Sequence, residues 1–236
     1  MTHQNGWSEI EQTLVQRERW SGRSGSKYTP LVYPGQKVSP DQPVLRLEYV
    51  QSVEHKTMYM PATETIPSGL AGRVVNITPR GGVVIESRVT LVQGVVGFGA
   101  QVAGILALWS PGENTRRLSA LLPGAILVVS GPISFAFLHQ AIASGANGVI
   151  ASSIAAHDLE GFLRTDIIQL LDSHDIELAQ SHLPPITLFL TEGLGTFDMP
   201  PPVLKLLSSH QGEVVLLSGV TSARQAIFPE LLISLM

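Results

Sequence analysis

The order of hydrophobic and polar residues changes its period near residue 113. Before that point, short apolar runs, some strictly alternating, end at turns rich in glycine and proline, which is typical of β-strands. One set is LVYPGQKV and VLRLEYV around the turn SPDQP, and the next is LAGRVVNI, VVIES and VTLVQGVVGFG around TPRGG. Short strands at this spacing predict a small β-barrel or sandwich over residues 28–112.

Residues 1–27 have a different pattern. Trp7, Ile10 and Leu14 recur at helical spacing opposite charged residues, which predicts a short helix. The following segment SGRSGSK has the composition of a flexible linker. We expect this tethered helix to dock on its own chain, to fray, or to bind a partner through its three apolar residues.

The second half of the chain alternates strand and helix patterns. Apolar strand patterns occur at 125–131, 148–153, 186–193 and 213–219, and helical patterns occur at 134–145, 157–174 and 202–212. This alternation predicts a parallel sheet with right-handed crossovers. We therefore predict a Rossmann-like α/β domain over residues 113–236, which makes the whole chain an α/β plus all-β protein.

Two segments of the first half resemble the two halves of one family of small domains. YPGQKVSPDQPVLRLE has a Gly-x-x-Val turn and a strand ending in Leu-Glu, and IPSGLAGRVVNITPRGG has a segment with proline and glycine before Arg-Val-Val. Both resemble the biotinyl/lipoyl barrel-sandwich hybrid. The resemblance implies a small β-barrel over about residues 28–110.

The same resemblance implies either a lysine that carries a covalently attached cofactor or an adaptor domain without one. Carrier domains of that family attach their cofactor to a lysine at a hairpin tip, which makes Lys56 the candidate attachment residue. Other members carry no cofactor and act as adaptors. The spacing around Lys56 is wider than that of the carrier hairpin, so we predict an adaptor without a cofactor.

The combination of the two halves is similar to a bacterial family that has no established activity. The segments ILVVSGPIS, ANGVIASSI, TLFLTEGLG and GVTSARQAIFPELLI lie where the blocks of that family lie. This similarity implies a barrel-sandwich hybrid followed by a Rossmann-like domain. It implies no reaction.

Small hydroxyl residues and glycines follow each predicted strand of the α/β domain. Because the carboxyl ends of parallel strands open at one edge of a sheet, we expect these residues to meet there. With the N–H groups at helix starts and one arginine, they suit a phosphate or carboxylate ligand. The candidate anion site comprises Ser130, Gly131, Ser134, Ser152, Glu192, Gly193, Gly195, Thr221 and Arg224. Serine, threonine and glycine also serve as helix caps and turn residues, which is the structural alternative.

Signals for catalysis are weak in this sequence. Glu192 and Asp198 lie close enough in sequence for a paired-carboxylate site. However, Ser130 lacks the Gly-x-Ser-x-Gly context of a nucleophile, and no phosphate-binding glycine motif follows a strand. The seven histidines are scattered and cysteine is absent, which gives no metal-binding pattern. We predict no catalytic residue and no metal, with a small-molecule enzyme or nucleotide-responsive regulator as the alternative function.

The charge content excludes further classes of protein. The 236 residues include 15 basic and 19 acidic ones, or 14%, where about 25% is usual. A net charge of −4 gives no attraction for nucleic acid or anionic membranes. The first residues lack the basic start and apolar core of a signal peptide, so we expect a cytoplasmic protein.

Two windows of the sequence, 89–112 and 118–157, carry no formal charge. The first is long enough to span a membrane, but its glycines, glutamines and alternating pattern favour strands over a membrane-spanning helix. The sequence leaves open whether this segment contacts a membrane. The second contains the predicted helix 134–145, whose candidate interface residues are Phe135, Phe137, Leu138 and Ile142.

An uncharged helix face is typical of a contact with a second copy or another protein, although the chain's own β-domain would also cover it. The sequence therefore predicts a non-catalytic scaffold or binding protein. We expect it to self-associate or to dock on a larger assembly, with a small anion as an additional ligand.

Overall fold

The structure is a computed structural model that describes residues 7–20, 26–52, 59–109, 123–164, 186–222 and 225–235. Within these ranges the protein is mostly β, with 14 strands and three helices. The strands are β1 (Ser8–Arg19), β2 (Lys27–Pro30), β3 (Lys37–Val38), β4 (Pro43–Ser52), β5 (Tyr59–Pro67), β6 (Gly72–Ile77), β7 (Val83–Gln93), β8 (Val96–Phe98), β9 (Gln101–Trp109), β10 (Ile126–Val129), β11 (Gly148–Ile154), β12 (Thr187–Leu194), β13 (Val214–Ser218) and β14 (Glu230–Ser234). The helices are α1 (Phe135–Ala143), α2 (Ala156–Leu163) and α3 (Pro201–Ser209).

The chain divides into two compact units. The first comprises Met1–Glu11 and Thr90–Ile233, and the second comprises Gln12–Val89 and Ser234–Met236. This division differs from the predicted boundary at residue 112. The reason is that β8 and β9, which we expected in the barrel, pair with strands of the first unit.

The sheet of the first unit contains four adjacent parallel strands in the order β9, β10, β11, β12. Strand β8 adds antiparallel to β12, and β13 lies antiparallel between β9 and β14. The predicted parallel arrangement is confirmed for β10, β11 and β12. It is wrong for β13, because β9 occupies the place beside β10 and β13 returns along β9 in the opposite direction.

Strands β8 and β9 are consecutive in the chain and lie at opposite sides of the three strands β10 to β12, since β8 pairs with β12 and β9 pairs with β10. The chain bends between them at Gly99, where a positive φ of 105° is accessible to glycine. Beyond the bend it passes the amino ends of the neighbouring strands, where Thr187 Oγ1 donates to Ala100 O at 2.7 Å and Asn147 Nδ2 donates to Ala103 O at 3.1 Å. These two hydrogen bonds hold the segment after Gly99 against the amino ends of β11 and β12.

Helices cover both faces of this sheet. Alternate residues of β10 point to opposite sides, so Leu127 belongs to one apolar core and Ile126 to the other. Helices α1 and α2 pack on the first core through Leu138, Ala141, Leu159 and Leu163, and α3 packs on the second through Val203 and Leu207. Burial on both faces explains why these strands are continuous apolar runs.

The helix predicted at 134–145 forms as α1, and its apolar residues divide between core and surface. Leu138 lies fully in the core, whereas Phe137 and Ile142 pack partly buried against that core. Phe135 remains 39% exposed and contacts the ring of His139, with a centroid distance of 4.4 Å. Of the four candidate interface residues on this helix, Phe135 is therefore the most exposed.

Residues 8–19 form strand β1, so the predicted N-terminal helix is wrong. The burial pattern has a period of two near its end, where Val15 and Arg19 are buried and Leu14 is 61% exposed. Pairing with β7 supplies the backbone hydrogen bonds that a helix would otherwise have provided. Three apolar residues at helical spacing are too few to distinguish the period of a helix from that of a strand. Ile10 is 46% exposed, and Trp7 packs partly buried against a core of the first unit.

The second unit contains two groups of antiparallel strands. One has the order β3, β6, β7 and the other has the order β2, β4, β5. A charged group stabilises one turn of this unit: Glu18 accepts hydrogen bonds from both Arg80 and Thr78, and the Arg80 guanidinium lies 4.2 Å from the Trp20 ring centroid. Lys56, the candidate attachment residue, lies outside the described residues.

In the described part of the chain, no helix is both long and apolar enough to cross a membrane.

Candidate functional site

The structure brings together the predicted site residues at the carboxyl ends of β10, β11 and β12. The amide of Met199 donates to Ser130 O at 2.9 Å, the amide of Gly195 donates to Ile154 O at 2.8 Å, and Ile133 forms a parallel bridge with Ile154. These bonds tie the three strand ends into one edge. Ser130, Gly131, Ser134, Ser152, Glu192, Gly193 and Gly195 thus belong to the carboxyl side of the sheet, as predicted.

Thr221 does not lie at that edge. Because β13 runs antiparallel to β9, with Ser218 opposite Gln101, the chain leaves β13 at the amino side of the parallel strands. There Thr221 Oγ1 accepts a hydrogen bond from Gly97 N at 2.8 Å and donates one to Gly97 O at 3.0 Å. Thr221 is a structural residue of the opposite edge. Arg224, the predicted cation, lies outside the described residues.

Two serines at the end of β11 hold the loop that follows β12. Ser153 Oγ accepts from Phe197 N at 2.8 Å and donates to Phe197 O at 2.9 Å, while Ser152 Oγ donates to the same carbonyl. Both serines are fully buried. Their hydroxyl groups are used in positioning the loop, which is a structural role different from the helix capping considered above.

A cavity of about 330 Å³ opens at this edge of the sheet. Its described walls come from the ends of β9 and β10, the starts of α1 and α2, and the loop after β12. Most of the lining residues are apolar, and two of them are aromatic. They are Trp109, Val129, Pro132, Ile133, Ser134, Phe137, Ala155, Asp158 and Thr196. Of the predicted anion-site residues, Ser134 lines this cavity.

Ser134 and Asp158 enter the cavity from the first turns of two helices. Ser134 is the N-cap of α1, and its Oγ accepts from Phe137 N at 3.3 Å. Asp158 lies in the first turn of α2, whose N-cap position is Ala155 and therefore offers no capping side chain. A carboxylate at this position interacts favourably with the helix dipole.

The formal charges that the described residues place at this edge are carboxylates. Asp158 is the one charged residue among the nine described lining residues. Asp198 lies nearby, with its Oδ1 3.6 Å from where a β-carbon on Gly131 would be. The described lining residues include no basic side chain that would pair with an anion, while the N-termini of α1 and α2 at the cavity favour one. The anion ligand therefore stays a prediction.

Glu192 has a different environment from Asp198. Burial raises the pKa of Glu192, and no charged neighbour contributes to that shift. Its Oε1 is buried and has no hydrogen-bond partner in the described residues. Repulsion between paired carboxylates would also raise a pKa, whereas the cause of the rise for Glu192 is burial. The Glu192–Asp198 pair therefore stays a prediction. The described ranges also contain no group of three metal-ligating side chains.

Sequence reasoning missed Trp109, Asp158 and Thr196 as site residues. Trp109 ends a strand that the sequence pattern places in the barrel, and Asp158 lies in the first turn of a helix, where the helix dipole alone accounts for an acidic residue. Asp158 is nevertheless the first formal charge after the uncharged window 118–157. A single carboxylate at the end of a long uncharged segment was the signal that could have identified it.

Comparison of the chain with protein-family models, with curated proteins and with solved structures found no significant match.

Proposed function

We propose that this protein is a non-catalytic cytoplasmic binding protein whose ligand occupies the cavity at the carboxyl edge of β9 to β12. The observation that carries the proposal is the cavity itself, which has a volume of about 330 Å³ and mainly apolar walls. Ligand pockets are typically apolar clefts of roughly 300–1,000 Å³ with a few polar groups that fix orientation. The volume favours a small molecule at the lower end of that range.

The state of the hydroxyl groups supports binding over catalysis. Ser152 and Ser153 both donate to the carbonyl of Phe197, so neither is held by a general base in the described structure. Ser134 accepts from the helix backbone. A nucleophile needs a neighbouring base within hydrogen-bond distance to become reactive.

The finer description of the fold is part of this proposal. Helices on both faces and the order β10, α1, β11, α2, β12 support a Rossmann-like first unit, whose antiparallel β8 and β13 are additions to that plan. The antiparallel strands of the second unit support a barrel-sandwich hybrid of the biotinyl/lipoyl type that acts as an adaptor. Self-association through α1 has less support, because Leu138 lies in the core of its own unit.

A variant that fills the cavity tests the proposal. Ala155→Phe places an aromatic ring among the lining residues, whereas Ala143→Phe places the same ring at an exposed position of α1. We expect 2-phenylethanol, a neutral probe, to shift the amide resonances of Ser134, Phe137 and Asp158 in the wild-type chain. The shifts should disappear in Ala155→Phe and persist in Ala143→Phe.

Two results would contradict the proposed function. One is a wild-type spectrum that does not respond to 2-phenylethanol or to the charged analogues of it described below. The other is a response that Ala155→Phe retains in full.

A further inference from the structure

The apolar walls of the cavity and the one charge among its described lining residues favour different parts of a ligand. Trp109, Val129, Ile133 and Phe137 favour an apolar body. Asp158 adds a carboxylate, and no basic residue is among the nine described lining residues to neutralise it. An apolar ligand with a positive group would satisfy both features.

The carboxylate of Asp158 is available for such a group. Its ionic partner in the described structure is His157, with 3.6 Å between His157 Nε2 and Asp158 Oδ2, and that pair is charged only when the histidine is protonated. The side chain of His157 is 83% exposed, whereas that of Asp158 is 25% exposed. The carboxylate is therefore the more sheltered group of the pair, where a charge–charge contact with a ligand is stronger than at an open surface.

The aromatic residues of the cavity favour the same charge. Trp109 is buried in the core of the first unit and also lines the cavity, and Phe137 lines it from α1. The faces of aromatic rings carry partial negative charge and attract ammonium and guanidinium groups, tryptophan most strongly. An anion in this cavity would lie near the carboxylate of Asp158, which has a charge of the same sign.

We propose, resting on the proposed function, that the cavity binds small organic cations, with an apolar body among the aromatic walls and an ammonium group paired with Asp158. The expected ligand class is a primary amine with one ring or a short branched chain, because the volume of about 330 Å³ is small for a larger molecule. This class is opposite in charge to the anion that the sequence predicted.

Three probes of nearly equal shape test the charge preference with the full chain. They are phenethylamine, 2-phenylethanol and phenylacetate, which are positive, neutral and negative at pH 7. We expect the dissociation constant of phenethylamine to be about tenfold lower than that of 2-phenylethanol, with phenylacetate weakest. Titrations followed by the amide resonances of Ser134 and Phe137 measure all three constants.

Substitution of Asp158 tests whether its carboxylate causes the preference for the positively charged probe. Asp158→Asn should raise the dissociation constant of phenethylamine about tenfold and leave that of 2-phenylethanol unchanged. The matched control is Asp198→Asn, which removes a neighbouring carboxylate that does not line the cavity, and it should change either constant less than about twofold.

Each outcome has a separate meaning. Equal constants for the amine and the alcohol in the wild-type chain would overturn the cation proposal and leave the proposed function standing. Tighter binding of phenylacetate would overturn it in favour of the anion site. Absence of binding by all three would overturn both proposals. Because the wild-type comparison decides between these results, the test does not depend on whether Asp158→Asn folds.

Discussion

The two edges of the parallel sheet contain the same kinds of residue and use them differently. At the amino edge, a β-carbon on Gly219 would lie 2.2 Å from the carbonyl oxygen of Phe98, and one on Gly97 would lie 2.7 Å from that of Leu188. At the carboxyl edge, a β-carbon on Gly131 would have 3.6 Å to its nearest neighbour, the Asp198 carboxylate. The first edge is closed by backbone contacts, and the second retains a cavity.

Chain direction explains this difference. Strands β10, β11 and β12 all end at the carboxyl edge. The amino edge is covered by the bend between β8 and β9 and by the segment after β13. Glycine and threonine at strand ends therefore do not by themselves identify a binding site. The edge at which the strand ends has to be known as well.

The largest effect is expected from a single methyl group at the closed edge. Gly219→Ala should lower the free energy of unfolding by more than about 3 kcal/mol, because the backbone of Phe98 has to move. Gly131→Ala, the matched change at the open edge, should cost less than about 1 kcal/mol because its neighbour is at ordinary contact distance. Urea denaturation measures both. Similar losses in the two variants would show that the edges do not differ as described.

A pair of threonines provides the second test. Thr221→Val keeps the shape of the side chain but leaves the buried amide of Gly97 without its acceptor, which should cost about 1–3 kcal/mol. Thr196 at the open edge is exposed, so Thr196→Val should change the stability by less than about 0.5 kcal/mol. Thermal unfolding of the two variants under one condition provides the comparison. An equal decrease in both would contradict the structural role of Thr221.

The third test concerns the loop wall of the cavity. Ser153→Ala removes both bonds to Phe197, so we expect a loss of about 1–2 kcal/mol and faster hydrogen exchange at the Phe197 amide. Ser130→Ala is the control, since the bond from Met199 reaches its backbone carbonyl and survives the substitution. Unchanged exchange at Phe197 in Ser153→Ala would show that the loop is held by other contacts.

The sequence predicted the local elements of the first unit better than their arrangement. Strands β10, β11 and β12 and helices α1 and α3 occur where their periodicity placed them, because burial on a fixed face leaves a regular pattern. The direction of β13 left no such pattern, since an apolar strand reads the same in a parallel and an antiparallel sheet. The helix expected around Ile10 and Leu14 failed because pairing with β7 decided the conformation.

The site was also predicted only in part, because local sequence pattern shows strand ends but not which strands are neighbours. Ser134 lines the cavity. Ser130 and Ser152 lie at the same edge, where Ser152 holds the adjacent loop. Trp109 and Asp158 come from segments far apart in sequence, and the parallel pairing of β9 with β10 places Trp109 opposite Val129 at the cavity. Such pairing depends on the tertiary structure, so local pattern does not reveal it.

The smallest effect is expected from a carboxyl group near the open end of β12. Burial raises the pKa of Glu192, so the folded chain retains this proton to a higher pH than the unfolded chain does. Ionisation therefore opposes folding at pH 7, and this cost disappears as the pH falls below the ordinary range of a glutamate. Glu192→Gln should be slightly more stable than wild type at pH 7, and the difference should vanish near pH 4.

Glu18 should give the opposite sign and serves as the control. The hydrogen bonds from Arg80 lower the pKa of Glu18, so its contribution is present at pH 7 and is lost as the pH falls through that lowered value. Glu18→Gln should therefore be less stable than wild type at pH 7 and should approach it in acid. Denaturation at several pH values measures both differences. A loss of stability in Glu192→Gln at pH 7, with the same pH dependence as in Glu18→Gln, would contradict this prediction. It would mean that the carboxylate of Glu192 has a stabilising partner, as polar groups at the closed edge do.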